Sequence, residues 1–156
     1  MKNSLGKPEI TIRKGIKSDL PVIHQLIVEL AIFEREPDAV SNTIERMERE
    51  GFGDQPAFEF FVAEVENKVV GLSLYYYRYS TWKGRCLYLE DLIVTEEMRG
   101  LGIGKLLFDR TVQHGKDQKC SRMNWQVLDW NTDAIRFYER YHTDFDDGWL
   151  NGSIEL

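Results

Sequence analysis

Gly100, Gly102 and Gly104 stand at alternate positions between a strand and a helix, and this stretch limits the fold more than any other. Tyr88 to Val94 has the β-branched and aromatic character of a buried strand. Thr95 to Met98 breaks that pattern. From Gly102 onward, Ile103, Leu106, Leu107 and Val112 return at spacings that mostly suit one helical face. A helix that begins among glycines leaves its first N–H groups bare, and its dipole adds partial positive charge. Several N–H groups can then converge on one ligand, and a phosphate or pyrophosphate is the expected one. The Walker loop is excluded, because Leu106 rather than Ser or Thr follows Gly104-Lys105. The dinucleotide fingerprint fails on glycine spacing and on the strand's place in the chain. What remains is Arg-x-x-Gly-x-Gly, filled by Arg99, Gly102 and Gly104.

A chain of 156 residues predicts a single domain, 1–156, with room for a real core. No apolar run is long enough to span a membrane, and the N-terminus lacks a signal-peptide apolar region. Cys86 and Cys120 sit among apolar or strand-like neighbours and read as buried free thiols, which predicts a cytoplasmic protein. His24, His114 and His142 form no ligand spacing with them, so no metal is expected. The net charge of −6 disfavours nucleic acid and favours a small cationic substrate.

Along the chain, residues 1–7 read as a frayed start and Glu9 to Arg13 as a strand. Ser18-Asp19 then caps a helix from Leu20 to Phe33, with Pro21 in its first turn. Ser41 or Asn42 caps a second helix that stops near Gly51. Phe58 to Val65 and Val69 to Tyr79 are strands joined by a tight Glu66-Asn67-Lys68 hairpin, and Cys86 to Val94 is the next strand. A helix from Gly102 ends at Gly115. Cys120 to Leu128 is a strand, Asn131 opens a last helix, and Trp149 to Ile154 is a short final strand. The order predicts an α+β fold with a mixed, mostly antiparallel sheet flanked by helices.

The Arg99–Gly104 pattern resembles the pyrophosphate loop of the GNAT N-acetyltransferases, which bind acetyl-coenzyme A. A wider set of residues is similar to one subgroup, the spermidine/spermine (diamine) N-acetyltransferases. It comprises Tyr88-Leu89-Glu90-Asp91, the glycine loop, Trp130-Asn131 and Phe137-Tyr138, with Glu29-Leu30-Ala31, Phe33-Glu34, Tyr75-Tyr76, Trp82, Gly84 and Gly148-Trp149. The resemblance runs from about Ile10 to Trp149. It implies the GNAT fold with two splayed central strands, acetyl-coenzyme A as cosubstrate, and a homodimer. The acceptor would be a polyamine or diamine, with thialysine or another small amine, or a non-catalytic acetyl-coenzyme A sensor, as alternatives.

Amine acetylation has its own demands. An alkyl-ammonium, with a pKa near about 10.4, must lose a proton, and the departing thiolate must gain one. Glu90 is the carboxylate expected to assist the first step. Glu90 and Asp91 are adjacent, so at most one is expected to face the reaction centre unless a bulge intervenes. The resemblance implies that Tyr138 is the general acid. It also implies that Leu92, Ile93 and Val94 hold the acetyl and pantetheine groups. Arg99, Gly100, Leu101, Gly102, Ile103, Gly104 and Lys105 would hold the pyrophosphate, with Asn131 on the cofactor's other side. Phe33, Glu34, Glu90, Asp91 and Asp147 would line the acceptor site. Tyr141-His142 stands where the family usually has a glycine turn, and Asn124-Trp125-Gln126 differs from the family's acceptor-lining strand.

Overall fold

The computed structural model describes residues 6–156, so the first five residues of the expected frayed start lie outside it. The described chain divides into two compact units, one ending at Trp125 and the other running from Gln126 to Leu156. In the first unit β1 (Ile10–Lys14) is followed by α1 (Leu20–Phe33) and α2 (Ile44–Phe52). Next come β2 (Glu59–Val65), β3 (Lys68–Ser80), β4 (Gly84–Val94), α3 (Ile103–Asp117) and β5 (Met123–Asn124). The second unit holds α4 (Thr132–Glu139). This is the expected α+β architecture. The sheet runs in order β1-β2-β3-β4-β5, antiparallel except for the parallel β4–β5 pair. No helix among the described residues is long and apolar enough to cross a membrane.

Alternation along the strands sorts the apolar side chains onto two faces. Phe60, Val62, Leu72, Leu74 and Ile93 pack with Leu20, Ile23 and Leu26 of α1 and Met47 of α2. Phe61, Ala63, Tyr75, Leu87 and Val94 pack with Ile103 and Leu107 of α3. β2 is therefore apolar on both sides, which explains its nearly unbroken hydrophobic run. Gly71 is what lets α3 sit close: a Cβ there would meet Leu107 Cδ1 at 2.9 Å and the Ile93 carbonyl oxygen at 3.3 Å. A buried hydrogen bond between the Ser73 and Thr111 hydroxyls, 2.6 Å, pins the same contact.

Several boundaries move for physical reasons. The β2–β3 connection is a two-residue turn whose Glu66 and Asn67 both have positive φ, 50° and 62°, as a hairpin twisted like its strands requires. Asp19 precedes α1, but its side chain turns back. It accepts a hydrogen bond from the Ile16 N–H at 2.8 Å and a two-pronged ion pair from Arg13, which also binds Glu64. Burial pushes the Asp19 pKa up, yet these bonds hold it below the usual carboxylate value. α2 is capped by Thr43, not by Ser41 or Asn42, through its hydroxyl on the Arg46 N–H at 3.1 Å. Gly115 does not end α3. It is buried, its Cα turned to Leu87, and the helix runs on to Asp117.

The expected strand Cys120 to Leu128 shrinks to Met123–Asn124, because only these residues find ladder partners, Leu87 and Tyr88. Residues 149–154 form no strand: they have no ladder partner among the described residues, and all six are exposed. Cys86 and Cys120 are free thiols, the first buried and the second half-buried.

Candidate active site

The geometry of the site begins with a fault in the β3–β4 ladder. Leu74 pairs with Asp91 and Tyr75 with Leu89, so Glu90 has no partner and β4 carries a one-residue bulge. In a regular strand Glu90 and Asp91 would point to opposite faces. The bulge suspends that alternation and turns both carboxylates toward the α1 side. Asp91 lies opposite Leu74, whose side chain is in the core against α1. Glu90 accepts a hydrogen bond from the phenol of Tyr76, two residues along the same row, at 3.1 Å. Tyr76 in turn stacks on its cross-strand partner Tyr88, with ring centroids 5.2 Å apart.

Glu34, just past the end of α1, joins the two carboxylates. Burial raises the Glu34 pKa. The Asp91 carboxyl is pushed up to about 7, first by burial and then by the negative charges of Glu90 and Glu34. Burial and the Glu90 charge lift the Tyr76 phenol to about 12, so it stays a proton donor to Glu90. The three carboxylates crowd together, and the Asp91 proton is held well above the usual carboxylate range.

That crowding has a measurable cost. A carboxyl whose folded pKa lies above its unfolded value of about 3.9 contributes stability in full below about pH 4. The contribution fades as pH rises from about 4 to about 7. Asp91→Asn cannot ionise and escapes the loss. Relative to the wild type, the variant should therefore be more stable at pH 8 than at pH 4 by about 2–4 kcal/mol. Urea midpoints at the two pH values measure this, and a difference that does not change with pH would remove Asp91 from the crowded cluster.

Beyond Tyr88, the outer edge of β4 has no ladder partner among the described residues, so the backbone groups of Leu89 to Ile93 on that edge lie outside the sheet's ladder. Leu92 is half-buried, and Ile93 and Val94 send their side chains into opposite cores. The Val94 carbonyl accepts from Arg99 Nε at 3.0 Å, and the Arg99 guanidinium lies 5.5 Å over the exposed Phe33 ring. This ties the loop to the end of α1. Gly100 and Gly102 have φ of 78° and 81°, and Gly102 is the residue before α3. No side chain caps this helix, so its first N–H groups have no intrahelical partner. A Cβ on Gly100 or Gly102 would meet nothing within 4 Å. Bare N–H groups, a helix start and open space above it fit a pyrophosphate. Leu101 is exposed, Ile103 is buried so that only its backbone faces the opening, and Lys105 is paired with Asp109.

The second unit carries Asn131, Tyr138 and Asp147. Asn131 caps α4, accepting the Ala134 N–H at 3.2 Å. Tyr138 is buried and stands edge-on to Phe137, with centroids 5.3 Å apart. Its carbonyl accepts from the Tyr141 N–H at 2.9 Å and the Thr143 hydroxyl at 2.6 Å. Asp147 is exposed. Sequence reasoning passed over Tyr76 as the partner of Glu90. It is one of four tyrosines within five residues, and nothing local marks which of them meets a carboxylate.

Residues 23–143 match the model of the acetyltransferase (GNAT) family. A thialysine N-epsilon-acetyltransferase from Bos taurus is 39% identical over 138 residues, 83% of this chain and 81% of that protein. A spermidine/spermine N(1)-acetyltransferase-like protein 1 from Homo sapiens is 39% identical over 134 residues, 81% of this chain but 19% of that longer protein. Among solved structures, an aminoglycoside acetyltransferase from an uncultured soil metagenomic sample has a TM-score of 0.75 at 26% identity, covering 94% of this chain and 96% of that one.

Proposed function

The chain belongs to the acetyltransferase (GNAT) family, and we propose that it transfers acetyl from acetyl-coenzyme A to a primary amine of a small cationic acceptor by direct attack in a ternary complex. The observation that carries this reading is the clustering of Glu34, Glu90 and Asp91 on one face, beside the open edge of β4 and the bare start of α3. The relatives' printed activities suggest two acceptor classes, polyamines or diamines and the side-chain amine of thialysine.

The donor supplies an activated acetyl group and a thiolate leaving group. The chain's residues do the rest. N–H groups from Arg99 to Lys105 hold the pyrophosphate, the backbone of Leu92 to Val94 holds the pantetheine arm, and Asn131 is a further donor-binding residue. Glu34, Asp91 and Asp147 draw in the cationic acceptor, with Phe33 as an apolar wall. Glu90, steadied by the Tyr76 phenol, takes the proton from the attacking amine, directly or through water. Tyr138 gives its proton to the departing sulfur. In this reading the protein is a single acetyltransferase domain and a homodimer of the cytoplasm, with no nucleic-acid or membrane partner.

A coenzyme A-release assay tests it, with spermidine, spermine, putrescine, thialysine, lysine and an aminoglycoside as acceptors. Turnover is expected on at least one of the first four, well above the aminoglycoside. Tight binding of acetyl-coenzyme A without product on any amine would replace the enzyme by a sensor module.

A further inference from the structure

The sheet face that carries the carboxylates also carries Arg13, held in ion pairs with Asp19 and Glu64, and Arg78. Arg78 lies on β3 in the same row as Tyr76, and its Cζ sits 5.6 Å from the centroid of the Tyr88 ring. Tyr88 stacks on Tyr76 at 5.2 Å, and the Tyr76 phenol donates to Glu90 at 3.1 Å. The four side chains thus form one continuous surface: Glu90 at one end, two stacked rings, and Arg78 at the other. Arg78 is exposed, and none of the ion pairs among the described residues involves it. The ring beneath it offers a cation–π rest but accepts none of its N–H groups in a fork. Arg85 does not share this surface, for it covers Tyr77 on the α3 side of the sheet at 3.9 Å.

Resting on the acetyl-transfer reading, we propose that Arg78 sets acceptor specificity by binding a carboxylate at the acceptor's far end, so that the substrate is the side-chain amine of a basic amino acid. The amine lies at Glu90 and Asp91, the aliphatic stem crosses the Tyr76–Tyr88 rings, and the carboxylate meets the guanidinium fork. Arg78 pairs with Cys86, four residues from Glu90 and about 13 Å along a strand, and its guanidinium reaches back over the Tyr88 ring, so an extended lysine-like acceptor with a hydrogen bond at each end bridges the two charges. A polyamine laid along the same path brings its second ammonium against Arg78, where like charges repel. A zwitterion meets the opposite charge at both ends. The planar fork of arginine suits a carboxylate, since it can donate two parallel hydrogen bonds to it.

The test compares wild type and Arg78→Met on thialysine, its methyl ester and putrescine, with acetyl-coenzyme A saturating. The ester keeps the amine and stem and loses only the negative charge. Wild type should show a KM for thialysine about ten- to a hundredfold below that for the ester, the range expected for one charge-assisted contact. Arg78→Met should raise the thialysine KM by the same factor, with kcat and acetyl-coenzyme A affinity unchanged, and leave the ester and putrescine as they were or better. Arg78→Lys should recover part of the loss. A thialysine KM within twofold of wild type in Arg78→Met overturns the proposal. So does a wild type that uses the ester as well as thialysine. Vigorous turnover of putrescine with none of thialysine overturns the role of Arg78 and leaves acetyl transfer standing; no turnover of any amine overturns both.

Discussion

Gly102→Val should weaken acetyl-coenzyme A binding by more than about a hundredfold while leaving the protein folded. Gly102 sits at φ 81° immediately before α3, with open space where a Cβ would project. In the proposed reading, its absent side chain lets a phosphate approach the bare N–H groups of the first turn. Valine adds bulk into that approach and strains the left-handed backbone by about 1–2 kcal/mol. The two effects can be separated. Gly84 has the same backbone sign, φ 87°, and the same open space, but it lies in the β3–β4 hairpin. Gly84→Val should therefore share the strain, read as a lowered urea midpoint, and bind the donor normally. Calorimetric titration of both variants decides the matter. Normal binding by folded Gly102→Val would end the assignment of the loop.

Tyr138→Phe should lower turnover by about 10²–10⁴, the range for loss of a positioned general acid, with donor affinity unchanged. Phenylalanine keeps the ring that packs edge-on to Phe137 and removes only the hydroxyl. The backbone bonds to the Tyr138 carbonyl do not depend on the side chain, so α4 should end as before. Single-turnover rates and equilibrium binding of acetyl-coenzyme A separate the chemical step from binding. Turnover within twofold of wild type removes Tyr138 from the mechanism and leaves the ring as a core aromatic.

Helices α1 and α3 and the β2–β3 hairpin were legible because each rests on a local rule. Helix α1 shows its apolar face at Ile23, Leu26, Ile27 and Leu30, and the hairpin needs two residues that tolerate positive φ. Local rules misled where a residue has two uses. Gly115 looks like a helix stop but lies buried within α3, facing Leu87, and the helix runs past it to Asp117. Residues 120–128 have strand-like composition, yet a strand exists only where a partner lies beside it, and just two of those residues have one.

The sequence by itself determined the α+β class, the glycine-rich start of α3, the presence of adjacent carboxylates on β4 and, through the pattern of motifs, the family. Only the tertiary structure decided that Glu90 and Asp91 share a face, that Glu34 joins them, and that Tyr76, Tyr88 and Arg78 continue the same surface. The reason is the range of the forces involved. Propensity, periodicity and backbone freedom act over a few residues and are written in the order of the chain. A bulge, a shared face and a carboxyl held near neutrality arise from how β3 and α1 meet β4, and no local run of residues encodes that meeting.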